Sequence, residues 1–151
     1  MNVGRICQRL VFTVSRSDEI IRAARLMREK HVGFLVVVEP EPVTGLPIPV
    51  GVLTDRDIVT GVLASDVDPL AVRVGDIMTT DPVTAQETDP LEKALHRMRE
   101  FGVRRLPIVN LRHVLVGVLA IDDILKVLAG DTQDIVSAIA NERRAEGRAR
   151  P

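Results

Sequence analysis

The chain has no tryptophan, no tyrosine, one cysteine and three phenylalanines in 151 residues. A single cysteine excludes an intramolecular disulfide framework, and Cys7 has no neighbouring Cys or His at a zinc-ligand spacing. Without Trp or Tyr, most of the stacking platform used by single-strand nucleic-acid binders is missing. No sign of charge dominates: 20 Lys and Arg stand against 21 Asp and Glu, which argues against nucleic acid as a partner. The longest unbroken run of large apolar residues is Phe34–Val38, far short of the roughly 20 residues that a membrane-spanning helix needs. Near the N-terminus, Arg5 and Arg9 precede only Leu10–Phe12, too short for a secretory signal. The expectation is a soluble, cytoplasmic chain, long enough to bury a core without staples.

What the chain does have is an internal repeat, a feature that can decide the whole architecture. Residues 3–38 align with 74–109 at a constant offset of 71, with twelve identities in 36 pairs, among them Gly4/Gly75, Ala23/Ala94, Met27/Met98 and Leu35/Leu106. After a shift of five residues, Val50-Gly-Val-Leu53 lies over Val116-Gly-Val-Leu119 and Asp57-Ile58 over Asp123-Ile124. The five extra residues fall in the proline-rich stretch 40–49, as a surface loop should. Two units of this size make a pseudo-symmetric pair.

Each copy reads strand, helix, strand, strand, helix. In the first, 11–14 is a short strand, and Ser17 or Asp18 is expected to cap a helix with Ile20, Ala23, Ala24 and Met27 on its apolar face. In the second, Asp89-Pro90-Leu91-Glu92 carries an expected cap, a proline at the first helical position and an acid at the third. Gly102 falls where that helix should end. Phe34–Val38 and Leu106–Val109 suit strands covered on both faces. Val50–Leu53 and Val114–Leu119 are the next strands, and helices near 55–64 and 121–129 close the copies. A separate helix is expected over 131–145 with Asp131 as its cap, followed by a fraying basic tail.

No catalytic constellation accompanies this pattern. His31, His96 and His113 fall in unrelated contexts, and no nucleophile elbow, phosphate loop or zinc-protease motif is present. Catalytic and metal-binding residues are therefore assigned to none. One local feature carries chemistry: Gly51-Val-Leu-Thr54-Asp-Arg-Asp57, a strand running directly into a helix. Glycine permits close approach, the helix start offers free N–H groups, and Thr54 with Asp57 could hold a vicinal diol. The same Thr-x-x-Asp spacing is also that of a capping box. The second copy reads Gly117-Val-Leu-Ala120-Ile-Asp-Asp123, keeping glycine and the acid without the hydroxyl. Both readings stay open on the local residues.

These features together resemble a tandem pair of cystathionine β-synthase (CBS) domains, a Bateman module. The resemblance covers residues 1 to about 130, and rests on the duplicated unit, Val74-Gly-Asp-Ile-Met78, Arg105-Leu-Pro-Ile108 and the turn at 51–57. It implies an α/β (α+β) fold in which two pseudo-symmetric β-α-β-β-α repeats, 1–66 and 67–130, pack through their sheets and leave two clefts, with 131–151 as a terminal helix and tail. It implies a non-enzymatic regulatory sensor that takes AMP, ADP, ATP, S-adenosylmethionine or NAD, requires no cofactor, forms a homodimer and acts on a protein effector. The alternative is a scaffold with vestigial clefts, working through dimerisation and a partner protein.

Carried over by position, the first cleft would set Thr54 and Asp57 on the ribose side. Leu10, Val32, Gly33, Phe34 and Val52 would lie against the base, with Arg56, Arg104 and Arg105 toward phosphate. The second cleft would use Val103, Val118 and Asp123. It lacks a hydroxyl at Ala120 and gains a negative charge at Asp122. One missing hydrogen bond to a charged group is worth about 1.5–3 kcal/mol, so the first cleft is expected to bind more tightly.

Overall fold

The computed structural model describes residues 1–149. Its elements are α1 (Val3–Ile6), β1 (Thr13–Val14), α2 (Ile20–Lys30), β2 (Phe34–Pro40), β3 (Pro47–Thr54) and α3 (Asp55–Ile58), then α4 (Val74–Ile77), β4 (Thr79–Thr80), β5 (Ala85–Gln86), α5 (Leu91–Phe101), β6 (Arg105–Val109), β7 (Leu115–Ala120) and α6 (Ile121–Ala149). Helix α3 continues as one π-helical turn over Val59–Leu63. This is the mixed α/β duplication the repeat implies.

Two small sheets form, ordered β1-β2-β3-β4 and β5-β6-β7. In each, the first pair is parallel and the second antiparallel. A β4-like edge also borders β7, where Gln8 bridges Val118 just as Thr79 pairs with Val52. Strand β2 buries Leu35, Val36 and Val37 completely, which is why it reads as a continuous apolar run. Against the sheets pack the matched stripes Ile20, Ala23 and Met27 of α2 and Leu91, Ala94 and Met98 of α5.

The two cores do not follow the repeats along the chain. Val74 and Met78, which open the second copy, are buried with Leu35, Leu53 and Met27 of the first. Val3 and Cys7, which open the first copy, are buried with Leu106, Leu119 and Met98 of the second. The backbone makes the same exchange, since Val3 and Gly4 N–H donate to the carbonyls of Asp89 and Glu87, and Val74 and Gly75 to those of Asp18 and Arg16.

Three local expectations are corrected. Neither Ser17 nor Asp18 caps α2, and Asp89 does not cap α5. Each aspartate turns back to its preceding loop, accepting from the N–H of Ser15 at 2.8 Å and of Gln86 at 3.0 Å, while Arg22 and Lys93 hold its other oxygen. The extended Pro90 consequently stands before the helix instead of at its first position. The separate helix beginning at Asp131 does not form, because α6 runs unbroken through Gly130. A mid-helix glycine costs about 1 kcal/mol but stops nothing unless it adopts a left-handed conformation, which here belongs to Gly45 and Gly102. The expected fraying tail is helical to Ala149, and Arg150 and Pro151 lie outside the described residues. No described helix is long and apolar enough to cross a membrane.

Candidate functional site

The second strand of each hairpin, β3 or β7, ends at a turn that the opposite copy faces. On one side, β3 ends at Thr54 and α3 begins. The Thr54 hydroxyl accepts from the Asp57 N–H at 3.1 Å, and Asp57 Oδ2 accepts from the Thr54 N–H at 2.8 Å. The capping box is therefore formed, and it fixes the direction of the Asp57 carboxylate. It engages one oxygen only: among the described residues nothing donates to Asp57 Oδ1.

This turn opens on a cavity of about 480 Å³, lined on the other side by 81–83 and 102–105 of the second copy. The cavity brings together Gly33, Phe34, Val52, Thr54, Arg56, Asp57, Arg104 and Arg105 from the residues singled out in the sequence. Val103, expected in the second cleft, lines this first one. Leu10 and Val32, expected here, line the opposite cavity instead. The reason is the crossed arrangement of the copies: each turn faces the loop and strand start of the other repeat, so 10–12 and 31–34 serve the Asp123 side while 81–83 and 102–105 serve the Asp57 side.

The second cavity, of about 340 Å³, contains Val118 and Asp123 as expected, together with Gln8, His31, Asp122 and Lys126. Gly33, Phe34 and Arg105 line both cavities. Arg105 lies over the Phe34 ring, 5.8 Å from its centroid, a cation–π distance. Because Phe34 and Arg105 occupy equivalent positions of the two copies, the contact sits on the pseudo-symmetry axis. Arg104 is 3.8 Å from Asp122, an exposed pair of small energetic weight. Among the described residues neither Arg56 nor Arg105 is held by a carboxylate.

Sequence reasoning missed Asp55, Thr79, Asp81, Pro82 and Val83 in the first cavity, and Gln8, Val11, Phe12, His31 and Lys126 in the second. The signal was available in the repeat, since the offset of 71 carries Leu10–Phe12 onto Asp81–Val83 and Gln8 onto Thr79. Gly51 and Gly117 permit close approach as expected, and what approaches each is a neighbouring carbonyl. A Cβ on Gly51 would lie 2.9 Å from the Thr79 carbonyl oxygen, and one on Gly117 2.8 Å from that of Gln8. These glycines admit a neighbouring backbone, not a ligand.

Among the described residues no group of three His, Cys, Asp or Glu could hold a metal ion. Burial pushes the Cys7 thiol up, outweighing the nearby Arg9 charge, so this cysteine is a poor nucleophile.

Residues 3–64 and 74–130 match the CBS domain. The CBS domain-containing protein YhcV of Bacillus subtilis is 37% identical over 131 residues, 87% of either chain. An uncharacterized protein of Methanopyrus kandleri is 33% identical over 127 residues, and the match spans 62% of that longer protein. Among solved structures, a protein with CBS domains from Burkholderia ambifaria superposes with a TM-score of 0.75 at 27% identity, covering 87% of this chain and 96% of that one. A CBS domain protein from Pyrobaculum aerophilum, complexed with AMP, superposes with a TM-score of 0.71 at 28% identity, covering 82% and 89%.

Proposed function

The chain belongs to the CBS domain family, and on that premise we propose that it is a non-catalytic regulatory module whose first cavity binds an adenine nucleotide. The observation that carries this reading is the cavity of about 480 Å³ joining the Thr54–Asp57 turn to three arginines, two of them from the other copy. Asp57 Oδ1 would accept the ribose hydroxyls. Arg56, Arg104 and Arg105 would face the phosphate, and Val52, Phe34 and Val103 would give the base an apolar wall. The complex of the Pyrobaculum relative with AMP supports AMP as the first ligand to try. ADP, ATP, S-adenosylmethionine and NAD present the same adenosine and remain further candidates. These nucleotides form a cytoplasmic pool, which is where the reading puts the protein.

Titration calorimetry of the purified chain against AMP, ATP and S-adenosylmethionine tests it. One ligand should bind saturably, and Asp57→Asn, which retains an acceptor for the cap, should weaken it at least tenfold through loss of a charged hydrogen bond, about 1.5–3 kcal/mol. No heat with any of the three, and no shift in melting temperature at high concentration, would sink the proposal.

The second part of the reading is a homodimer acting on a protein effector. Helix α6 leaves Leu125, Leu128, Ile135, Val136 and Ile139 exposed at helical spacing. We assign this face to a second copy of the chain. Asp122 and Asp123 stand at one end of this helix and Arg148 at the other, so two such helices lying antiparallel bring opposite charges together. Light scattering after gel filtration should give a dimer for the wild type and a monomer for Ile135→Asp/Ile139→Asp. A monomeric wild type would refute the assignment.

A further inference from the structure

The two cavities differ most sharply at a residue that lies outside the turn motif. Gln8 and Thr79 occupy equivalent positions: Gln8 exchanges both backbone hydrogen bonds with Val118 at 2.9 Å, and Thr79 pairs with Val52 on the matching strand of the other sheet. Their backbones therefore deliver the two side chains to the same place, one beside Asp123 and the other in the cavity of Asp57. The side chains do different things. Gln8 Nε2 donates to Asp123 Oδ1 at 3.0 Å. Asp123 Oδ2 already accepts from the Ala120 N–H at 3.3 Å, so both oxygens of Asp123 are engaged. Nothing among the described residues donates to Asp57 Oδ1, and the short threonine side chain leaves it open.

We propose that Gln8 is a specificity-determining residue that closes the second cavity: by occupying Asp123 Oδ1 it confines tight adenine-nucleotide binding to the first cavity. The inference rests on the reading of the first cavity given above. Its chemistry is a competition. A ribose diol can reach Asp123 only by displacing an amide already bonded to the same charged oxygen, and an amide–carboxylate hydrogen bond sets that handicap at about 10- to 100-fold in affinity. Asp122, beside Asp123, works in the same direction against an anionic ligand. Gln8 is exposed, so its replacement leaves both cores intact.

The test uses AMP as the probe and calorimetry on the full chain, with Gln8→Thr, Gln8→Ala, Thr79→Gln and Gln8→Thr/Asp123→Asn. The expected result is one tight site in the wild type. A second should appear in Gln8→Thr and Gln8→Ala, strengthened at least tenfold, and vanish again when Asp123→Asn is added. The reciprocal Thr79→Gln should weaken the first site. If the wild type binds AMP once and both Gln8 variants leave the second cavity within threefold of its original affinity, the closure is wrong while the nucleotide reading stands. Two equal sites in the wild type would overturn it as well. A site created by Gln8→Thr in a protein that otherwise binds no AMP would support the closure and remove the nucleotide reading of the first cavity. No binding by any variant would overturn both.

Discussion

The two halves of the molecule share a backbone and differ in their chemistry. The first three strands of each sheet have the same order and register, and the helices bury the same three positions. At the cavities the matched pairs diverge: Thr54 against Ala120, Arg56 against Asp122, Gly33 against Arg104, Phe34 against Arg105, Thr79 against Gln8. Among the positions that agree are core pairs such as Leu35/Leu106 and Ala23/Ala94, where buried volume sets the residue. Those that diverge line the cavities. A duplicated fold is thus free to build two unlike sites on one frame.

The largest effects should come from the matched core. Leu35 and Leu106 are both completely buried, so Leu35→Ala and Leu106→Ala should each cost about 2–5 kcal/mol by denaturant unfolding. If the halves are equivalent in packing, the two values agree within the scatter. A twofold gap would show that one core carries more of the fold.

Gly51 and Gly117 sharpen the same equivalence. Alanine at either pushes a methyl against the carbonyl of the neighbouring edge segment, and overpacking of this kind costs about 1–3 kcal/mol. The Gly117→Ala loss should be the smaller, because a single bridged residue can move aside more easily than a two-residue strand. Equal losses in urea melts would contradict that.

Asp89 supplies a pH-dependent difference. Burial pushes its carboxyl up, but the bonds from Lys93 and the Gln86 N–H outweigh this and hold it below the ordinary carboxylate range. A depressed value in the folded state means stability that is present at neutral pH and lost as the pH falls through the folded value. Asp89→Asn should therefore cost on the order of 1 kcal/mol at pH 7, with the gap to wild type narrowing below about pH 4. A gap independent of pH would show that the loss is steric.

The smallest effect lies at the helix ends. His31 and Gly102 close α2 and α5 in the same left-handed conformation, with φ of 55° and 64°. His31→Gly should gain up to about 1 kcal/mol, while Gly102→Ala should lose about as much. Opposite signs in thermal melts verify the equivalence.

Much of this was legible in the sequence. Identities at an offset of 71 located the duplication, and the unbroken run at Phe34–Val38 located a strand covered on both faces. The Thr54–Asp57 spacing carried both of its readings, and the structure realises the capping box while leaving one carboxylate oxygen open. The exchange of opening turns was not legible, because Val3 and Val74 look alike to any local pattern and only three-dimensional packing decides which core each one enters. Leu10, Val32 and Val103 line the opposite cavities because each turn faces the loop and strand start of the other copy. The continuity of α6 was not legible either: Asp131 has the chemistry of a cap, but the helix already runs through it from Ile121.

The exchange of opening turns also makes each half depend on the other for its own completion. A single unit folding alone would leave the space beside Leu35 and Met27 empty and its own Val3-like turn without a core to enter. Two separate chains trading those turns would satisfy both needs at once. In the present polypeptide the two halves supply those turns to each other, so neither half closes its core without the other.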